Sequence, residues 1–378
     1  MLDRLVLFGA GGDLAGRFLF PALATLHFEG RLAADFRVIG ADVHDWDDET
    51  FRAHVHDRLE RHATQTPLLS RGAILGALRY GRVDVNDAES FRAALALAGH
   101  EPLVAYLALP QRAFAPTVRA IAAAGLPTGS RVAVEKPFGE DLHSAIALNA
   151  LLADATGSAF RVDHVLGMPN ARRAVGLDPT GVEEIEILWE ETLGLEGRAG
   201  FYDRAGALRD VLQNHMLQLL ALVVGGDERA AALRATHVPD PLRSRRARYA
   251  GYAAEDGVDP ARGTETFAEV LLAVDAPGWR DTRFRLRAGK ALARGYKGVV
   301  VHRGGAQERI EVDRLGEGEA PAYVHVLDEV LGGHSGLSVH ADEAEEAWRI
   351  VTPVLDAWAA GRVPLDEYPA GSEGPPRL

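Results

Sequence analysis

From its start to about residue 165, the chain alternates short apolar runs with segments of helical period, and no other feature narrows the fold so far. The runs are RLVLFGA, FRVIGAD, LRYGRVD, LVAYLAL, RVAVEKP and FRVDH, most of them apolar on both faces, as strands buried in a parallel sheet are. Helical segments lie between them, near residues 13 to 29, 48 to 62, 87 to 98, 112 to 124 and 140 to 153. Parallel strands cannot be joined by tight turns and need a crossover, so this alternation winds helices over both faces of one sheet. Six strands with five crossovers predict a doubly wound Rossmann domain over residues 1–165, a fold that holds dinucleotides.

Beyond that point the rhythm changes. VEEIEILWEET reads as a strand and AGALRDVLQNHMLQLLALVV as one long, largely apolar helix. TETFAEVLLAVD, TRFRLRA, YKGVVVHR and ERIEVDR then follow as consecutive strands, and HADEAEEAWRIVTPVLDAWAAG closes as a helix at Gly361. Residues 166–378 are therefore expected to form an α+β domain, a mainly antiparallel sheet covered by helices. A length of 378 residues is enough for two cores of this kind.

Composition excludes several partners. A net charge of -13 argues against a nucleic-acid or anionic-membrane surface, both of which need a clustered basic footprint. No apolar run approaches the roughly 20 residues that cross a bilayer, and Asp3 and Asp13 interrupt any signal-like stretch. The chain has no cysteine, which removes disulfides, thiolate zinc sites and cysteine nucleophiles and fits a reducing, cytoplasmic setting. No His/Asp/Glu cluster has metal-ligand spacing, so no metal is expected. Of 41 basic residues only Lys136, Lys290 and Lys297 are lysines. Against so much arginine, a lysine marks a place where a compact ammonium is wanted and a planar guanidinium is not.

The loop LVLFGAGGDLAG puts Gly9, Gly11 and Gly12 between the first strand and the first helix, where a backbone without side chains can approach a pyrophosphate. Leu14 occupies the place of the motif's third glycine, so the loop alone also fits an ordinary glycine turn. Asp42 ends the second strand, positioned either to accept from an adenosine ribose or simply to cap a turn. VAVEKPFGEDL ends the fifth strand with Glu135 and Lys136, at the sheet edge where ligands bind. In the long helix, Leu208, Leu212, His215 and Leu219 share one stripe at α-helical spacing, which turns His215 into an apolar face. A satisfied core histidine is the plain reading there. RVDH supplies the other: Asp163 and His164 leave opposite faces of a strand end, and a carboxylate that holds one imidazole nitrogen makes the other a competent base.

Together with ETLGLEGRAGFYDRAGALRDVLQNHMLQLLAL, LRAGKAL, DEAEEAWRIVTPVLDAW and the closing YPAGSEGP, these motifs resemble the glucose-6-phosphate dehydrogenase family along the whole chain. The resemblance implies oxidation of an aldose at its anomeric carbon to a lactone, with hydride passing to NAD or NADP. It implies that His215 is the base and Asp163 its orienting partner. His164 matches a residue that binds substrate phosphate, and Lys136, Glu191, Asp210 and Lys290 match positions on the sugar or its phosphate. Gly9, Gly11, Gly12, Asp13 and Leu14 match the cofactor loop, with Asp42 and Lys136 beside it. A homodimer or homotetramer is implied too.

Three departures shape what is expected. Asp42 and Val43 stand where NADP-using members carry an arginine, and an acid there disfavours a 2′-phosphate, so NAD is expected, with NADP the alternative. The chain is short, with deletions around residues 224 to 250 and 303 to 322, in the sheet that in the family forms the dimer interface. Val165 and Met168 replace a tyrosine and a lysine that bind phosphate. Each lost charge-assisted bond is worth roughly 1.5 to 3 kcal/mol, so free glucose or another unphosphorylated aldose is the alternative substrate. Arg172, Arg173 or Arg294 would restore a cation, unless they are solvated surface. A nucleotide-binding regulatory protein without turnover is the remaining alternative, disfavoured by the base, carboxylate and lysine all being present.

Overall fold

The computed structural model describes residues 1–157, 159–195 and 199–378. They form two compact units. Met1–Gly139, His143–Gly167 and Ala320–His340 make the first; Glu140–Leu142, Met168–Glu319 and Ala341–Leu378 make the second.

In the first unit, β1 (Arg4–Phe8), β2 (Arg37–Asp42), β3 (Leu78–Arg82), β4 (Val104–Leu107), β5 (Arg131–Glu135) and β6 (Ala159–Val162) pair in parallel, in the order β6-β5-β4-β1-β2-β3. This is the Rossmann order, and it reverses direction at β1, the switch point where such sheets hold ligands. Leu5, Val6 and Leu7 are fully enclosed, and burial of each side chain contributes about 1.5 to 3 kcal/mol. Gly40 in β2 lets the helix Asp48–His62 close onto the sheet, since a Cβ there would lie 2.2 Å from the Phe51 ring. Asp47 caps that helix by accepting from Thr50 N–H at 2.8 Å.

In the second unit, β7 (Val182–Glu190), β8 (Thr236–His237), β9 (Arg245–Tyr249), β10 (Phe267–Val274), β11 (Arg283–Gly289), β12 (Tyr296–Arg303) and β13 (Ala306–Glu311) build a sheet in the order β13-β12-β7-β11-β10-β9, with β8 beside β10. The pairs among these strands are antiparallel except β7 with β11, so the sheet is mixed and mainly antiparallel, as expected. Phe284, Leu286 and Ala288 face one way along β11 and are fully buried. Arg285 and Arg287 face the other way, where Arg285 bridges Glu184 and Glu269, and Arg287 pairs with Glu190.

Two features depart from the sequence reading. The expected single helix over residues 205 to 224 is interrupted: Leu208–Met216 is π-helical and only Leu217–Gly225 continues as α-helix. The single boundary near residue 165 does not describe the chain either, because residues 320–340 return to the first unit. Their helix Ala322–Gly332 buries Tyr323, Val324, Val326, Leu327, Val330 and Leu331. It is tied down by an ion pair of Asp328 with Arg31 and by Leu2 N–H on Leu331 C=O at 2.7 Å. β14 (Ser338–Val339) then adds an antiparallel edge beside β6, and β15 (Leu365–Tyr368) extends the second sheet in parallel beyond β9. The helix Ala341–Ala359 belongs to the second unit.

Candidate active site

In the first unit, β1 delivers the chain into Gly9 with φ +81°, and a Cβ there would sit 2.3 Å from the Ala108 carbonyl oxygen, so only glycine fits. Gly12 N–H closes the loop on Gly9 C=O at 3.0 Å. Gly11 N–H donates to Asp42 Oδ2 at 2.8 Å, while Val43 N–H donates to Oδ1 at 2.7 Å. Asp42 therefore does cap the turn; its Oδ1 also faces His44 Nδ1 at 3.2 Å, while Oδ2 keeps a further lone pair. Trp46 stacks on His44 with centroids 4.4 Å apart and lies against Gly11, walling this side of the loop. Asp13 pairs with Arg17 at the surface, and half-buried Leu14 leads into the helical turn at Ala15. Sequence reasoning missed Arg82: it is register-paired with Asp42 across β2 and β3, largely exposed, with Asp45 its ion partner at 4.0 Å.

At the carboxyl ends of β5 and β6, Glu135 is enclosed and takes a hydrogen bond from Tyr106 Oη at 2.6 Å and another from Tyr323. Burial pushes its carboxyl up to about 7, against those two hydrogen bonds. Half-buried Lys136 follows, joined to Pro137 by a cis peptide. Asp163 is buried, and its Oδ1 accepts from Val165 N–H at 3.1 Å, pinning the turn His164–Gly167. That turn presents His164 against Tyr323, the rings 5.6 Å apart and nearly parallel. Val165 itself is fully buried and offers only packing. Tyr323 had no signal in the sequence, because it arrives from 159 positions downstream of His164 in a helix that was not anticipated.

In the second unit, Glu191 stands just past β7, its N–H on Gly289 C=O at 2.9 Å. Its carboxylate takes Lys290 Nζ at 2.5 Å on one oxygen and Lys297 Nζ at 3.2 Å on the other. Burial raises the Glu191 carboxyl, but the two ammoniums outweigh it and hold it below the usual range. Lys290 also lies 5.0 Å over the Tyr202 ring, and Lys297 lies 5.2 Å over Trp189. Trp189 in turn stacks on His215 at 5.1 Å. Tyr202 is enclosed and driven well above its ordinary range by burial and then by the charges of Asp210, Glu265 and Glu191, which places Asp210 in the same neighbourhood. Two of the chain's three lysines, Lys290 and Lys297, thus share the Glu191 carboxylate, and the third, Lys136, follows β5 in the first unit.

His215 is buried, as the apolar stripe suggested, but that stripe assumed α-helical spacing and the π-helical stretch Leu208–Met216 does not keep it. Glu265 clamps the start of this stretch, accepting from Leu208 N–H at 3.0 Å through its side chain and from Ala207 N–H at 3.1 Å through its carbonyl. Of the cations proposed to replace the missing phosphate ligands, Arg172 and Arg173 are exposed, and Arg294 is 84% exposed with Glu373 at 3.7 Å.

Comparison with known proteins covers the same ground. The family model for the glucose-6-phosphate dehydrogenase NAD-binding domain matches residues 6–171, and the model for that family's C-terminal domain matches residues 173–240, 226–311 and 307–378. A glucose-6-phosphate 1-dehydrogenase of Treponema pallidum is 30% identical, the match covering 98% of this chain and 92% of that one. The alignment runs over 475 positions, more than this chain's 378 residues, so internal segments of the relative are absent here. Glucose-6-phosphate 1-dehydrogenase 1 of Mycobacterium tuberculosis is 32% identical over 99% of this chain and 93% of its own. The crystal structure of the Mycobacterium avium glucose-6-phosphate 1-dehydrogenase superposes with a TM-score of 0.86 at 31% identity, covering 99% of this chain and 96% of that one.

Proposed function

Because the chain belongs to the glucose-6-phosphate dehydrogenase family, we propose that it oxidises glucose 6-phosphate at C1 to the 1,5-lactone, with NAD as the favoured hydride acceptor. The observation that carries the reading is His215, buried against Trp189, with Asp210 and the Lys290–Glu191–Lys297 cluster in the same unit.

A dinucleotide fits the first unit. Gly9, Gly11 and Gly12 leave the switch-point loop without side chains, and a Cβ at Gly9 would fill it with a clash. When bound, the nicotinamide supplies the acceptor for hydride leaving C1. His215 takes the proton of the anomeric hydroxyl, and the face of Trp189 stabilises the imidazolium that results. Asp163 orients that imidazole, the role its place in RVDH implies. Glu191, kept ionised by its two ammoniums, accepts from sugar hydroxyls, while His164 and Lys136 receive the phosphate end. The lost phosphate ligands favour a second reading, a free aldose, since Val165 is buried and contributes no polar atom. Asp42 supports NAD; Arg82 beside it is the cation that an NADP preference would use. The absence of cysteine fits a cytoplasmic setting, and a homodimer or homotetramer completes the proposal.

The test measures NADH or NADPH formation from glucose 6-phosphate and from glucose, with each cofactor, for the native protein and for His215→Asn. The expected pattern is the highest kcat/KM for glucose 6-phosphate with NAD, turnover reduced at least about 1,000-fold in His215→Asn, and unchanged NAD binding. Higher kcat/KM for glucose overturns the substrate, a preference for NADP overturns the role of Asp42, and full turnover without His215 overturns the base.

A further inference from the structure

The π-helical stretch Leu208–Met216 contains both Asp210 and His215. Its register is visible at its end, where Leu217 N–H reaches Leu212 C=O, five residues back. Register decides which side chains share a face. Residues five apart are separated by roughly 140° in an α-helix of 3.6 residues per turn, but by only about 50° in a π-helix of about 4.4. Asp210 and His215 are five apart, so the π register brings them within about 50° of each other, where an α-helical register would set them about 140° apart.

A widened turn leaves backbone groups poorly matched, and one buried side chain matches them. Asn214 donates through Nδ2 to the carbonyl of Arg209, five residues back, at 2.9 Å. Its Oδ1 accepts the backbone N–H of His215 at 2.8 Å, so the same side chain also holds the peptide that carries the base. Asn214 is only 6% exposed, and both halves of its amide go to the helix that carries it. Competition of this kind from asparagine normally weakens an α-helix. Here it stabilises the wider register, and the groups it ties down adjoin the two site residues: the peptide just before Asp210 and the peptide that carries His215.

We infer that Asn214 is a positioning residue for the reaction, holding the π register that aligns Asp210 with His215. The inference rests on the assignment of His215 as base and Asp210 as substrate ligand. An aliphatic side chain of similar size removes both hydrogen bonds and lets the stretch relax toward α-helix. Asn214→Leu is expected to lower kcat about 100-fold with NAD affinity unchanged, because small displacements of reacting groups have effects of that size. Asn214→Asp gives a sharper readout: its carboxylate still accepts from His215 N–H, but it regains a donor toward Arg209 C=O only when protonated. The ratio of its kcat to that of the native protein is therefore expected to climb as pH falls from 7 to 5, which loss of packing alone does not produce. The inference is overturned if folded Asn214→Leu keeps kcat within threefold of native, or if the Asn214→Asp ratio is flat with pH; the latter decides the matter if Asn214→Leu does not fold. Turnover by His215→Asn overturns the function reading instead, so the two failures are distinguishable.

Discussion

Glu135 is an acid held where an acid is disfavoured, and its cost depends on pH. Burial raises its carboxyl to about 7 in the folded chain, against an ordinary value near 4.5. A group raised on folding contributes stability that is fully present below its unfolded value and is lost as pH rises through its folded value. Between pH 4.5 and 7 the first unit is expected to lose on the order of 3 kcal/mol on this account. Glu135→Gln, which keeps an oxygen for one tyrosine and has no charge to form, is expected to flatten that slope in urea unfolding measured across the window; equal slopes would remove Glu135 as its cause. At this scale the sequence was informative about chemistry and silent about company. Rarity singled out the lysines, and RVDH announced a carboxylate beside a histidine. Tyr106, Tyr323 and Trp189 gave no such sign, because an aromatic that serves a site has the same pattern as one that fills a core.

The helix that begins before His215 depends on one glycine. Gly206 has φ +71°, and a Cβ there would lie 2.4 Å from Glu265 Oε1, the oxygen that accepts from Leu208 N–H. Gly206→Ala meets both the left-handed backbone and the clamp, and is expected to destabilise the second unit by about 2 kcal/mol or more, read as a lower urea midpoint. An unchanged midpoint would mean that the clamp gives way freely. Strands and crossover helices were legible because their periods are regular. The π-helical stretch was not, since its residues LRDVLQNHM count equally well at α-helical spacing, and what widens the turn is a side chain bonding its own backbone. Asp42 sits between these cases: turn capping is one of the two readings that its place at the strand end offers, while Arg82 beside it depends on sheet register and stayed hidden.

For the whole molecule, the first unit is not one continuous stretch of chain. The helix Ala322–Gly332 buries six apolar side chains, each contributing about 1.5 to 3 kcal/mol, a sum comparable to the 5 to 15 kcal/mol of net stability of an ordinary domain. A fragment ending at residue 167 is expected not to fold or to bind NAD, whereas the same fragment joined by a flexible linker to residues 320–340 is expected to do both, by circular dichroism and cofactor titration. A folded, NAD-binding 1–167 fragment would refute this. The return of that segment was illegible because nothing local marks a helix as belonging to a domain that ended about 150 residues earlier. Its consequence lies in biosynthesis. Nascent chains usually complete their amino-terminal domain first, but here the last helix and the strand that covers β6 are translated only after most of the second unit. At roughly 5 to 20 residues per second, the ribosome needs on the order of 10 to 35 s to pass from residue 167 to residue 340, and for that interval the β6 edge and the apolar bed of the helix are open to chaperones or to aggregation.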